Sequence, residues 1–236
     1  MRKHLNTSRK IISYSLFGSD EKYSRGAIRN CQLIKKLLPK WTPRIYYSTT
    51  EFKFKIDLLS KLTELHAELV DVDLWTICGK SVLQIPYLWR CFAFFNYDIV
   101  LCRDLDSFIT PREVDYIKNW LDSEKPFFII RDHPWQGEIG AGLLGLSDQH
   151  QHFVRSFLNF FNTTTKFPWG YDEVCLRQFK ERISNPNDVY LCSFETQETY
   201  IPRIDKNTFI GLQCDALGKP THSGVKALDY LKELNL

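Results

Sequence analysis

Nowhere in the 236 residues does an apolar run reach the length of about eighteen that a membrane-spanning helix requires, so no span is expected. Paired CxxC spacings are missing too. The seven cysteines are odd in number and scattered, which argues against a zinc knuckle or a disulfide framework and fits reduced thiols in a cytoplasmic chain. Neither sign of charge dominates: 31 Lys and Arg face 28 Asp and Glu, a formal charge of +3. With no Lys/Arg block and no RNA-type aromatic motif, nucleic acid is not an expected partner. The opening MRKHLNTSRK is basic, but the KIISYSLF region after it is too short for a signal peptide. That start leaves peripheral contact with a membrane surface open beside the plainer reading of a solvated tail. Internal repeats, low-complexity linkers and clean boundaries are absent as well.

What is present is a globular composition: 44% hydrophobic, 25% charged and a high 14% aromatic, enough for a dense core and for pockets that stack on flat rings. The pattern predicts strands over 11–17, 44–48, 67–74, 98–102, 126–131 and 189–194. Helices are predicted over 23–38, 52–66, 85–95, 110–124, 149–161 and 172–183. At the fourth of these helices Thr110 is a cap, Pro111 suits the first turn and Glu113 completes a capping box. Strands alternating with helices mean an α/β fold with a mostly parallel sheet covered on both faces. One domain over 1–236, with a short C-terminal extension from about 215, is the economical organisation.

In such sheets, ligands collect at the carboxyl ends of strands. The stretch YDIVLCRDLDSF is a buried strand that ends in charge at that position. Asp104 and Asp106 are one residue apart, so extended backbone projects them to one side. Two convergent carboxylates make a hard-oxygen site for Mg2+ or Mn2+, completed by phosphate oxygens and water. The competing reading is that the aspartates solvate a turn, although the next helix already has its cap in Thr110.

The segment YLWRCFAFFNYDIVLCRDLDSFITPREVDYIKNWL resembles the core of GT-A-type nucleotide-sugar glycosyltransferases. It is similar, more narrowly, to a bacterial and viral group with a W-R-F, R-D-x-D-S, R-E, W pattern. FGSDEKYSRGAIRN, IIRDHPWQGEIGAGLLGL, WGYDEVCLRQF and FIGLQCDALGKPT agree with that group in the right order over most of the chain. The resemblance implies a single GT-A (Rossmann-like) domain that moves a sugar from a nucleotide diphosphate donor, UDP-linked in this family, to a hydroxyl of a glycan or lipid-linked acceptor.

On this resemblance Asp104 and Asp106 hold the metal and the donor diphosphate, and Arg90 reaches the donor. Phe17, Gly18 and Tyr23 lie where the fold receives the nucleoside, and Asp132 and His133 lie beside the donor sugar and acceptor. Glu173 stands where the group usually has Gln after the acid Asp172, leaving two acids there. An inverting reaction needs a base, for which Asp172, Glu173 and Asp132 are candidates in that order; a retaining one needs none. His222 is a candidate third metal ligand, acceptable to manganese and poor for magnesium. Arg103 either braces the aspartates or touches the sugar. Two other classes compete. One is a haloacid-dehalogenase-type phosphatase with Asp104 as nucleophile, against which Phe108 stands in place of the usual Thr or Val. The other is a domain that binds a nucleotide sugar or glycan without turnover.

Overall fold

Lys10–Leu16 forms β1, and after Lys10 every residue in it is buried. Ile11, Ile12, Tyr14 and Leu16 fill the two faces of a central strand. The serines between them are buried without being left unsatisfied. Ser13 Oγ donates to the carbonyl of Arg90 at 2.7 Å, and Ser15 Oγ accepts the Arg90 N–H at 2.9 Å. The computed structural model describes residues 8–50, 56–136, 139–140, 142–147, 150–167, 170–177, 185–195, 199, 201 and 207–233.

α1 (Glu21–Leu37) follows. Asp20 caps it by accepting the Lys22 N–H, and Lys35 and Lys36 complement the dipole in the last turn. β2 (Thr42–Tyr47), α2 (Ile56–Glu64) and β3 (Glu68–Asp71) come next. The expected helix over 52–66 is described only from Ile56, since 51–55 lie outside the described residues. A small hairpin, β4 (Thr76–Ile77) and β5 (Lys80–Ser81), stands apart from the main sheet and has no counterpart in the sequence reading. Pro86–Phe95 is a 3-10 helix, tighter than the α-helix its apolar spacing suggested.

β6 (Ile99–Arg103) is buried throughout, and α3 (Pro111–Ser123) follows with Thr110 accepting the Glu113 N–H as its cap. β7 (Phe127–Arg131) and β8 (Leu143–Ser147) lead to α4 (His150–Thr163), α5 (Tyr171–Arg177), β9 (Val189–Ser193) and α6 (His222–Glu233). The expected continuation of α5 over 178–183 lies outside the described residues.

The seven main strands are ordered β3-β2-β1-β6-β8-β7-β9. β1 pairs in parallel with β2 and β6, β2 with β3, and β7 with β9, whereas β8 pairs antiparallel with both β6 and β7. This is the mixed, mostly parallel α/β sheet expected. α1, α2 and α3 bury one face, through residues such as Ile34, Leu62 and Trp120. The 3-10 helix, α4 and α5 bury the other, through Trp89, Phe157 and Leu176. Because β8 alone runs backward, its first residue, Leu143, pairs with Arg103 at the end of β6. The carboxyl ends of β1, β6 and β7 and the start of β8 therefore share one edge of the sheet.

Candidate active site

At that edge lies a cleft of about 370 Å³, lined among others by Phe17, Tyr23, Arg90, Asp104, Asp106, Asp172 and Glu173. Its volume is within the range of small-molecule sites. Asp104 and Asp106 both face it, by a route other than extended backbone. The chain turns at Leu105, with the Ser107 N–H reaching the Asp104 carbonyl at 3.4 Å. Neighbours hold that turn. Asn30, fully buried on α1, donates to the carbonyls of Leu105 and Ser107 and accepts the Ile109 N–H. A Cβ on Gly26 would stand 2.0 Å from the Leu105 carbonyl oxygen, so α1 approaches the loop more closely than any side chain there permits. From below, the Cys214 N–H donates to the Asp106 carbonyl at 2.7 Å.

Arg103 braces this turn and is not among the residues that line the cleft. Its guanidinium is buried, 2.9 Å from the equally buried Glu113, and donates to the Gly142 carbonyl at 2.8 Å and Ser107 Oγ at 3.1 Å. Burial raises the Glu113 pKa against the opposing pull of Arg103.

Arg90 is the main cation of the cleft. Its backbone is fixed by the two β1 serines, and its guanidinium ties Asp104 to Asp172, pairing with both and standing 3.1 Å from the latter. Burial alone would lower its pKa, but the two carboxylates carry it upward, so it stays charged. Lys22, at the start of α1, holds Asp106 Oδ2 at 2.9 Å and lies over the Tyr23 ring. Asp106 is raised in pKa by burial and by Asp104, and Asp172 by burial against the pull of Arg90. Among the described residues, Asp104, Asp106, Asp172 and Glu173 face Arg90 and Lys22, four anions against two cations. The cleft is thus formally two charges negative.

That balance bears on a metal. Among the described residues no three acidic, His or Cys side chains converge as a ready-made metal cage. Two neighbouring carboxylates, Asp106 buried and Asp104 with its side chain 47% exposed, fit a divalent cation whose remaining positions come from phosphate oxygen and water.

Phe17 and Tyr23 form a stacked pair at the β1 end of the cleft, ring centroids 6.1 Å apart. Gly18 sits between them in sequence with φ +82°, a left-handed turn suited to glycine, but is not itself a lining residue. Gly140 and Gly142 line the cleft, while Gly145 relieves crowding in the sheet, since a Cβ there would meet Leu101 at 2.7 Å.

Asp132 and His133 follow β7 at the same edge of the sheet. Both are buried and neither lines the cleft. Asp132 pairs with Arg112 and accepts the Ile210 N–H at 2.7 Å. His133 reaches the Ala227 carbonyl through Nε2 at 2.9 Å and accepts the Trp135 N–H on Nδ1 at 3.0 Å, which fixes a neutral ring with its proton on Nε2. They join the end of β7 to the 209–227 segment. His222 opens α6, exposed and outside the cleft lining. Sequence reasoning did not single out Lys22, Trp135, Gln136 or Gln213. The first pairs with Asp106, and the other three line the cleft.

No known family model matches the chain, and no curated protein matches it. Among solved structures it is similar to a glycosyltransferase involved in glycosylation of the major capsid of PBCV-1 (15% identity, 80% of this chain and 83% of that one, TM-score 0.47). It is also similar to the M. tuberculosis glucosyl-3-phosphoglycerate synthase (12%, 79% and 71%, TM-score 0.47). A third is the 4-diphosphocytidyl-2C-methyl-D-erythritol synthase of Anaerococcus prevotii (10%, 95% and 99%, TM-score 0.47). At these identities and scores the likeness does not speak to the activity of this chain.

Proposed function

We propose that the chain is a metal-dependent glycosyltransferase. It would move a sugar from a nucleotide diphosphate donor, UDP-linked on the sequence resemblance, to a hydroxyl of a glycan or lipid-linked acceptor. The observation that carries this reading is the charge of the cleft. An anionic diphosphate would meet a site with two excess negative charges, and Asp104 and Asp106 are the carboxylates that would hold a divalent cation to offset the repulsion.

Asp104 and Asp106 would hold that cation, Mn2+ or Mg2+, which when bound would supply Lewis-acid stabilisation of the departing diphosphate. Arg90, fixed by the β1 serines, keeps a permanent planar charge beside the metal carboxylates, suited to sugar or phosphate oxygens. Phe17 and Tyr23 offer flat rings for the base. In the transfer, the acceptor oxygen forms a bond to the anomeric carbon, and the bond from that carbon to the phosphate oxygen breaks. The electron pair leaves with the nucleoside diphosphate. For an inverting course Asp172 or Glu173 takes the hydroxyl proton. Asp132, which pairs with Arg112 and accepts the Ile210 N–H, stays the last of the three candidates.

A thermal-shift screen of nucleoside diphosphates and nucleotide sugars, each with and without Mn2+, tests the reading. Stabilisation by UDP compounds that needs the metal is expected. If no nucleotide compound stabilises the protein in a metal-dependent way, the transferase reading fails.

A further inference from the structure

Trp135 is a large aromatic on the cleft wall that keeps 56% of its surface exposed. It is also firmly held. Its ring stacks on Tyr230 of α6, centroids 5.3 Å apart and planes 27° apart, and lies edgewise to His133 at 5.2 Å. Its backbone N–H is bonded to His133 Nδ1 at 3.0 Å. The next residue, Gln136, locks the turn: its Oε1 accepts the N–H groups of Asp132 and His133, and its Nε2 donates to the Ile210 carbonyl. Several hydrogen bonds and a ring stack thus fix an indole with over half its surface in solvent. Folding alone gives no reason to hold it so, because exposed Trp contributes little burial.

The position of the indole in the cleft gives one. β7, which ends at Arg131 four residues before Trp135, lies three strand spacings from β1, about 14 Å at the usual interval of ~4.8 Å. β6, with Asp104 and Asp106 after it, lies between. The cleft therefore has an aromatic wall at each end and the carboxylates in the middle. A donor with its base on Phe17 and Tyr23 and its diphosphate at the carboxylates leaves the Trp135 wall for the second substrate.

We propose that Trp135 is the platform for the acceptor, and that the acceptor presents a pyranose ring there. One face of a pyranose is a patch of C–H groups that stacks on an indole, while its rim of hydroxyls needs polar partners. Glu173 and Gln213 line the same cleft and supply them. This inference rests on the transferase reading and narrows its acceptor to a glycan or glycoside, as opposed to a hydroxyl on a non-sugar molecule.

The test uses methyl glycosides of glucose, galactose, mannose and N-acetylglucosamine, observed by saturation-transfer NMR on the full chain with Mg2+ and UDP. Wild type, Trp135→Ala and Trp135→Tyr are compared, and metal-dependent stabilisation by UDP is measured on each. Wild type is expected to saturate the ring C–H protons of at least one glycoside. Trp135→Ala weakens that binding roughly tenfold and Trp135→Tyr retains most of it, with UDP stabilisation unchanged in both. The proposal is overturned if Trp135→Ala binds the glycoside as wild type does, or if no glycoside binds a wild type that binds UDP. Loss of UDP binding in Trp135→Ala also overturns it, placing the base on this wall. If UDP stabilises none of the three while the glycoside result holds, the platform stands and the transferase reading fails. Because the ring is so exposed, its truncation leaves the fold intact, and Trp135→Tyr controls for any loss of packing.

Discussion

Replacing Gly142 with alanine perturbs the site through one carboxylate. A Cβ at Gly142 would stand 1.9 Å from Asp104 Oδ2 and 2.5 Å from its Cγ, where ordinary contact begins near 3.4 Å. The Asp104 carboxylate must therefore retreat by about 1.5 Å, the difference between those distances. The three nearest atoms to the added methyl all belong to that carboxylate, and its side chain is 47% exposed, so it moves into solvent without disturbing the core. Stability should change by no more than about 1 kcal/mol. Metal ligands tolerate only about 0.2 Å of misplacement, and displacing even a supporting group costs on the order of 10–100-fold in metal affinity. Metal-dependent UDP affinity should fall at least that far. The assay pairs a thermal melt followed by circular dichroism with calorimetric titration of UDP in Mn2+. Wild-type affinity in Gly142→Ala would refute the placement of Asp104 in the donor site, and a collapsed melt would refute its freedom to move.

Two further outcomes follow from charges elsewhere. Glu113→Gln leaves Arg103 buried without its counter-charge beneath the Asp104 turn. Breaking such a pair costs roughly 3–5 kcal/mol, or a melting temperature lower by about 10 °C at this size; an unchanged melt would contradict the bracing role. Burial pushes the Asp73 pKa up, but the Thr50 N–H and the hydroxyls of Ser48, Thr49 and Thr50, all of which it accepts, together outweigh that push and hold it at about 2. Its folded pKa is below the usual unfolded value of about 3.9. Its contribution to stability is therefore present above that value and lost as the pH falls toward about 2. The gap in urea midpoint between wild type and Asp73→Asn should be constant above about pH 5 and shrink toward pH 2; a gap independent of pH would contradict this.

Much of this architecture is legible in the chain, and the parts that are not share a cause. β1, β6, α1 and α3 can be read because buried strands make apolar runs, helix faces repeat at helical spacing, and a cap such as Thr110 marks a helix start locally. Asp104 and Asp106 can be read because charge rarely follows a buried strand so abruptly. The direction of β8 cannot, since an apolar run looks the same in either sense. Asp132 and His133 show the ambiguity at its sharpest. A polar cluster after a strand has the same sequence whatever it meets, and its bonds to the 209–227 segment are visible only in the fold. Lys22, Trp135 and Gln213 acquire their positions only through contacts distant in sequence. The segment just before the expected C-terminal extension contributes Gln213 to the cleft and, through the Cys214 N–H, a backbone bond to Asp106, both set by contacts far apart in sequence.

The central claim is that Asp104 and Asp106 join a metal to a nucleotide diphosphate. Calorimetric titration of UDP into wild type and Asp104→Asn, each with Mn2+ and then with excess chelator, measures it most directly. The account predicts binding to wild type only in the presence of metal, and its loss in Asp104→Asn with an unaltered circular dichroism spectrum. Equal UDP affinity in Asp104→Asn, or wild-type binding that survives the chelator, would contradict it.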